Sequence, residues 1–99
     1  VIACLGLSYK ADVDDLRESP ALEIVSRLAD MKLADLLVVE PHVSALPKEL
    51  ADRGLELTDF DMAMEQANVV LLLVDHSAFM HIDRDLIKDK FVIDTRGAW

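Results

Sequence analysis

The sequence has 99 residues, 19 of them acidic against 10 basic, for a formal net charge of −9, and 53% of it is hydrophobic. That is enough apolar chain for one domain with a real core, while the charge excludes nucleic acid, whose phosphates need a basic face. No apolar run approaches a membrane span and no secretory leader pattern is present. The lone Cys4 cannot form an internal disulfide, so the expected location is the cytoplasm.

Val1 to Leu5 is a continuous apolar run ending at Gly6 and reads as a strand covered on both faces, with Cys4 as a small buried hydrophobe. A 13-residue excursion from Gly6 to Glu18 follows, long for a strand-to-helix turn, and long ordered loops are often functional. It carries Tyr9, Lys10 and Arg17 among Asp12, Asp14, Asp15 and Glu18. Ser19 suits an N-cap and Pro20 the first helical position. The unpaired N–H groups and partial positive charge of that helix start, with Lys10 and Arg17 nearby, predict an anion site.

From Pro20 to Met31, Leu22, Val25, Leu28 and Ala29 form one helical stripe, with Glu23, Arg27 and Asp30 left to face water. Leu36 to Val39 is a second strand ended by Pro41. Leu46 to Arg53 reads as a short helix stopped by Gly54, and Leu55 to Leu57 as a short strand. Phe60, Ala63, Met64 and Ala67 mark another helix, capped by Thr58 or Asp59, in which Phe60, Met62 and Met64 are expected to pack into the core. Val69 to Val74 and Phe91 to Ile93 are strands, with a weak last helix over Asp83 to Asp89 between them. The pattern predicts an α/β fold in three layers, a Rossmann-like open parallel sheet with helices on both faces.

Ligands of such sheets lie beyond the carboxyl ends of the strands, which draws Gly6 to Lys10, Glu40-Pro41, Asp75-His76 and Asp94 to Arg96 around one crevice. Lys10, Arg17 and Arg96 are the cations tied to those strand ends. Only Gly6 occupies the place of the three-glycine dinucleotide fingerprint, which argues against the domain holding its own NAD. Arg17 also reads as an ion-pair partner of the acids around it, a surface role contributing about 0 to 1 kcal/mol. A metal is not expected. The loop acids lack a glycine turn or ligand ladder, and His42, His76 and His81 with Asp75 lack helical His-x-x-x-His spacing or a cysteine pair. His76 reads as a loop residue near the crevice.

Two stretches carry a family resemblance. Gly6-Leu7-Ser8-Tyr9-Lys10 followed by Asp14-Asp15-Leu16-Arg17-Glu18-Ser19-Pro20, and Phe91 to Gly97 with its Asp94-Thr95-Arg96, resemble the opening and closing motifs of the C-terminal, UDP-binding domain of the UDP-glucose/GDP-mannose dehydrogenase family. Val39-Glu40-Pro41 and Val74-Asp75-His76-Ser77 with Phe79 resemble the branch acting on UDP-N-acetyl-D-mannosamine. The resemblance implies that residues 1–99 are a domain excised from an NAD-dependent UDP-sugar 6-dehydrogenase, with Tyr9, Lys10 and Arg96 on the nucleotide sugar and Arg17 toward NAD held by an N-terminal domain. It further implies a catalytic cysteine elsewhere, none in this chain, two NAD+ consumed per sugar, and a homodimer contacting its own N-terminal and central domains. A UDP-glucose or GDP-mannose dehydrogenase, a stand-alone nucleotide-sensing domain, and a module serving assembly alone are the other readings.

Overall fold

The structure, a computed structural model, describes all residues from Val1 to Trp99. Four strands, β1 (Ile2–Leu5), β2 (Leu36–Val39), β3 (Val69–Leu72) and β4 (Phe91–Asp94), form one all-parallel sheet in the order β2-β1-β3-β4. The order reverses direction between β1 and β3, which makes the carboxyl ends of those two strands the topological switch point. Because side chains alternate along a strand, Cys4, Val38 and Leu71 pack on one face with Val25 of helix α1 (Pro20–Met31) and Leu50 of helix α2 (Lys48–Ala51). Ala3, Leu5, Val70 and Leu72 pack on the other with Ala63 and Met64 of helix α3 (Phe60–Gln66), and with Phe79. The three layers follow from that alternation. Cys4 is fully buried at the sheet centre, and burial pushes its thiol up to about 12, so it packs as a hydrophobe and does not react.

The starts of α1 and α3 carry side-chain caps, while α2, preceded by Pro47, has none. Ser19 Oγ accepts from Leu22 N at 3.3 Å, and Pro20 stands at the first helical position. At α3 the cap is Asp59, which accepts from Met62 N, while Thr58 N donates to Val38 O. The expected fifth strand is reduced to that contact: Leu55 to Leu57 contributes a single bridge, Val38 to Leu57, before the chain turns into α3. The weak last helix is likewise reduced to one 3-10 turn at Arg84–Leu86, where Leu86 is exposed and no apolar stripe holds a longer element down. Within α3, Met64 is buried and Phe60 half-buried as expected, but Met62 lies on the outer face, half exposed. The edge strand β4 leaves Phe91 and Ile93 exposed at 79% and 54%. No helix is long and apolar enough to cross a membrane.

Gly6 sits at the switch point with φ 99°, and a Cβ there would come within 2.5 Å of Val74 Cβ, against a strand-end backbone that cannot move away. Gly54, with φ 79°, has open space around it. Gly6→Ala is therefore expected to cost about 3 kcal/mol or more, overpacking added to left-handed strain, against about 1 kcal/mol for Gly54→Ala. Urea unfolding of the two variants side by side checks this, and equal costs would mean that Val74 can yield.

Candidate functional site

The loop between β1 and α1 crosses the carboxyl edge of the sheet and is pinned at several points. Ser19, itself buried, donates its hydroxyl to Leu7 O at 2.6 Å, with Ser8 O a second acceptor at 3.1 Å, so the cap of α1 also ties the helix start to the loop. Tyr9 N donates to Asp15 O at 2.7 Å and closes the loop on itself. Ser8 Oγ donates to Lys10 O at 2.7 Å and fixes the backbone at the lysine.

Beneath this loop lies a buried carboxylate. Glu40, the residue after β2, is 2% exposed, and its Oε1 accepts from Leu7 N at 2.9 Å, Ser8 N at 3.1 Å and His76 Nε2 at 2.8 Å, while Oε2 accepts from His42 N at 2.9 Å. Burial alone pushes this carboxyl up. The hydrogen bonds from His76 and from the Leu7 and His42 amides outweigh it and hold the group below its ordinary value of 4.5, ionised. His76 is 0% exposed; its Nδ1 accepts from Asp12 N at 2.8 Å, which assigns the ring proton to Nε2. Asp12, at φ 61°, then accepts from Ser77 N at 2.8 Å and Ser77 Oγ at 2.6 Å, bonds that pull its carboxyl below the usual range. The His42 ring packs on His76 with centroids 4.5 Å apart. No buried side-chain polar atom is left without a partner.

His76 lies in the loop after β3 at the crevice, as expected, and the fold also makes it a buried bridge, because β1 and β3 are adjacent and their trailing loops converge on Glu40. It also brings Asp12, His42 and His76 together, with ligand-type atoms within 4.8 Å of one another, a cluster that sequence spacing does not reveal. Both His76 nitrogens are engaged, one by the Asp12 amide and the other by Glu40, so in this arrangement the His76 ring acts as a hydrogen-bond bridge.

The exposed residues of the site sit on this frame. Tyr9 is 58% exposed and, with Asp15, Arg17 and Glu18, lines an open cavity of about 370 Å³. Arg17 pairs with Asp15 through two bonds of 3.1 Å and presents the rest of its guanidinium to solvent. Lys10 is exposed and makes no ion pair. Arg96 follows β4 and reaches back toward the β3 loop, 3.5 Å from Asp75. Asp94 takes the amides of Arg96 and Trp99, and the Trp99 indole donates to Phe79 O, which anchors that turn. Tyr9 and Arg17 thus share one cavity, and Arg96 approaches from a different strand end at the same sheet edge.

The expected anion site at the start of α1 is corrected. Ser19 satisfies the Leu22 amide, and the cavity beside the helix start is walled by Glu18, Glu23 and Glu49, carboxylates that repel an anion. Nor do these residues cradle a dinucleotide. The Leu7 and Ser8 amides after β1 already hold Glu40, and that carboxylate, at the strand end where a ribose would be met, is turned inward with its bonds filled.

The sequence profile of the UDP-glucose/GDP-mannose dehydrogenase family, UDP binding domain, matches residues 3–99, and the chain belongs to this family. It is 52% identical over 99 residues to an NDP-N-acetyl-D-galactosaminuronic acid dehydrogenase of Ralstonia nicotianae, covering 100% of the chain and 23% of the relative. It is 46% identical over 99 residues to the UDP-N-acetyl-D-mannosamine dehydrogenase of Escherichia coli, covering 99% of the chain and 23% of the relative. Among solved structures, the native UDP-N-acetyl-mannosamine dehydrogenase of Staphylococcus aureus superposes with a TM-score of 0.74 at 30% identity, covering 98% of the chain and 22% of that protein. The chain therefore spans less than a quarter of the length of the relatives it matches.

Since the Glu40 carboxyl is held below its ordinary value in the folded state, its contribution to stability is fully present above about pH 4.5 and is lost as pH falls through the lowered folded value. Thermal unfolding followed from pH 6 to pH 3 is expected to show a steeper acid loss in the wild type than in Glu40→Gln. Parallel curves would place the acid sensitivity elsewhere.

Proposed function

We propose that this chain is the nucleotide-sugar-binding lobe of an NAD-dependent UDP-sugar 6-dehydrogenase, acting on UDP-N-acetyl-D-mannosamine. The observation that carries the reading is the placement of cations on a strongly acidic domain: Lys10 unpaired and Arg96 lightly paired, from separate strand ends at one edge of the sheet, with the Tyr9 ring exposed beside Lys10. A diphosphate needs positive charge from more than one side, and a nucleotide offers flat surface for an aromatic ring. Lys10 and Arg96 would neutralise the diphosphate and Tyr9 would support it through its ring and backbone.

In this reading the parent protein takes the sugar's C6 alcohol to a carboxylate, with one water consumed, two NAD+ reduced and three protons released. NAD belongs to the rest of the protein, since this chain's own loop amides are spent on Glu40. Arg17 would reach toward it with the outward face of a guanidinium that Asp15 holds from behind. The lobe supplies no catalytic residue. Its contribution is to fix the non-reacting nucleotide, so that binding energy there orients the distant C6 carbon. The reading places the protein in the cytoplasm, as a homodimer in which this domain meets its own N-terminal and central domains. The 52% identical relative, named for an NDP-linked N-acetylgalactosaminuronic acid, favours a second substrate, nucleotide-linked N-acetylgalactosamine, which differs from the mannosamine at C2 and C4.

NADH formation by the full-length protein, offered UDP-N-acetylmannosamine, UDP-N-acetylgalactosamine, UDP-glucose and GDP-mannose separately, decides among these. Turnover of the first is expected; turnover of none would leave the binding-domain reading. With the active substrate, Lys10→Ala should raise KM for the nucleotide sugar about tenfold or more, the loss of a charge-assisted contact, and leave KM for NAD within about twofold. Arg17→Ala should show the opposite bias, and a selective loss of nucleotide-sugar binding there would remove Arg17 from the NAD side.

A further inference from the structure

The geometry points to Glu40 and His76 as positioning residues for the nucleotide site: buried and out of reach of ligand, they set the Leu7 to Asp12 backbone from which Tyr9 and Lys10 project. This rests on the nucleotide-binding reading above and adds residues to which neither that reading nor the family motifs assign a role.

A carboxylate just after the second strand of a dinucleotide sheet ordinarily presents itself to a ribose hydroxyl, and the glycine-rich turn beside it presents amides to phosphate. Here the two halves of that arrangement are bonded to each other. Glu40 accepts the Leu7 and Ser8 amides, so the turn after β1 is closed around an internal anion instead of an external one. The loop is thereby ordered before any ligand arrives, and the cations it carries are left free for the ligand's charge.

His76 extends the same hold to the far side of the loop. One bridge runs Glu40 Oε1 to His76 Nε2 and on from His76 Nδ1 to the Asp12 amide, and Asp12 closes it on Ser77. Leu7 and Ser8 are fixed on one side of Tyr9-Lys10 and Asp12 on the other, so the pair is suspended between two anchored points. Asp12 at φ 61° and Glu18 at φ 54° are non-glycine residues in the left-handed region, a conformation that persists where surrounding bonds over-determine it. Gly6, closed against Val74, allows no slack at the loop's root. A displacement of the loop by a fraction of an ångström would move Lys10 relative to the phosphates, while the Arg17 end, linked to Tyr9 through the Asp15 carbonyl but held again at the Ser19 cap of α1, shifts less.

Two substitutions separate positioning from general structural damage. Glu40→Gln keeps the size but replaces one acceptor oxygen with an N–H that faces the donors His42 N or His76 Nε2. His76→Gln retains a donor near the Nε2 position and removes the acceptor for the Asp12 amide. Calorimetric titration of the full-length protein with UDP and, separately, with NAD is the test, with the wild type alongside. Glu40→Gln is expected to weaken UDP binding about tenfold and His76→Gln about threefold, with NAD affinity unchanged within about twofold in both, as for loss of preorganisation at one ligand only. Equal weakening of UDP and NAD, or UDP binding within twofold of wild type in both variants, overturns the proposal while leaving the nucleotide-binding reading intact. If Glu40→Gln does not fold, His76→Gln decides by the same comparison. Absence of UDP binding by the wild type overturns the reading beneath it and this proposal together.

Discussion

An ionised carboxylate buried under a surface loop is expensive unless every lone pair that water would have served is served by the protein. Glu40 meets that condition with three backbone amides and one imidazole, drawn from the loops that follow β1, β2 and β3. The carboxyl edge of the sheet is therefore a single unit, closed around one charge. Removing one donor would leave part of that charge uncompensated, which is why loops that carry no regular structure of their own can hold side chains at fixed places.

The electrostatics of the surface follow from the same economy. With 19 acidic residues against 10 basic, the chain would repel a phosphorylated ligand over most of its area. Several cations are neutralised locally, Arg53 against Asp30 and Arg27 against Glu23, away from the crevice or along a helix. Lys10 keeps no such partner. An acidic surround with a few cations at one edge favours a ligand that brings compact negative charge to that edge, and disfavours long polyanions that would have to cross the rest.

The sheet and its helices were legible because their signals are local. Continuous apolar runs mark strands covered on both faces, Ser19-Pro20 marks the start of α1, and the spacing of Val25 and Leu28 marks its buried stripe. The Leu55 to Leu57 strand and the Asp83 to Asp89 helix differ from the structure because each carries only two apolar residues, too few to set the length of an element; the first makes one bridge before the chain turns into α3, and the second holds no more than a 3-10 turn. Tyr9, Lys10, Arg17 and Arg96 could be singled out by motif and by attachment to strand ends. The bond between Glu40 and His76 could not, since it joins residues 36 positions apart whose meeting depends on β1 lying between β2 and β3. An acid directly after the second strand, in a chain lacking the three-glycine fingerprint, is the one signal that pointed there.

Cys4 at the sheet centre has a practical side. A thiol with no exposure and an ionisation pushed to about 12 is silent toward maleimides and disulfides while the fold is intact. A cysteine introduced on the solvent side of this domain would be its sole reactive sulfur, so a fluorophore could be placed beside the Tyr9-Lys10 pair without altering any native residue of the core. Labelling of Cys4 itself would then report unfolding alone, giving the chain a built-in clock for the opening of its sheet.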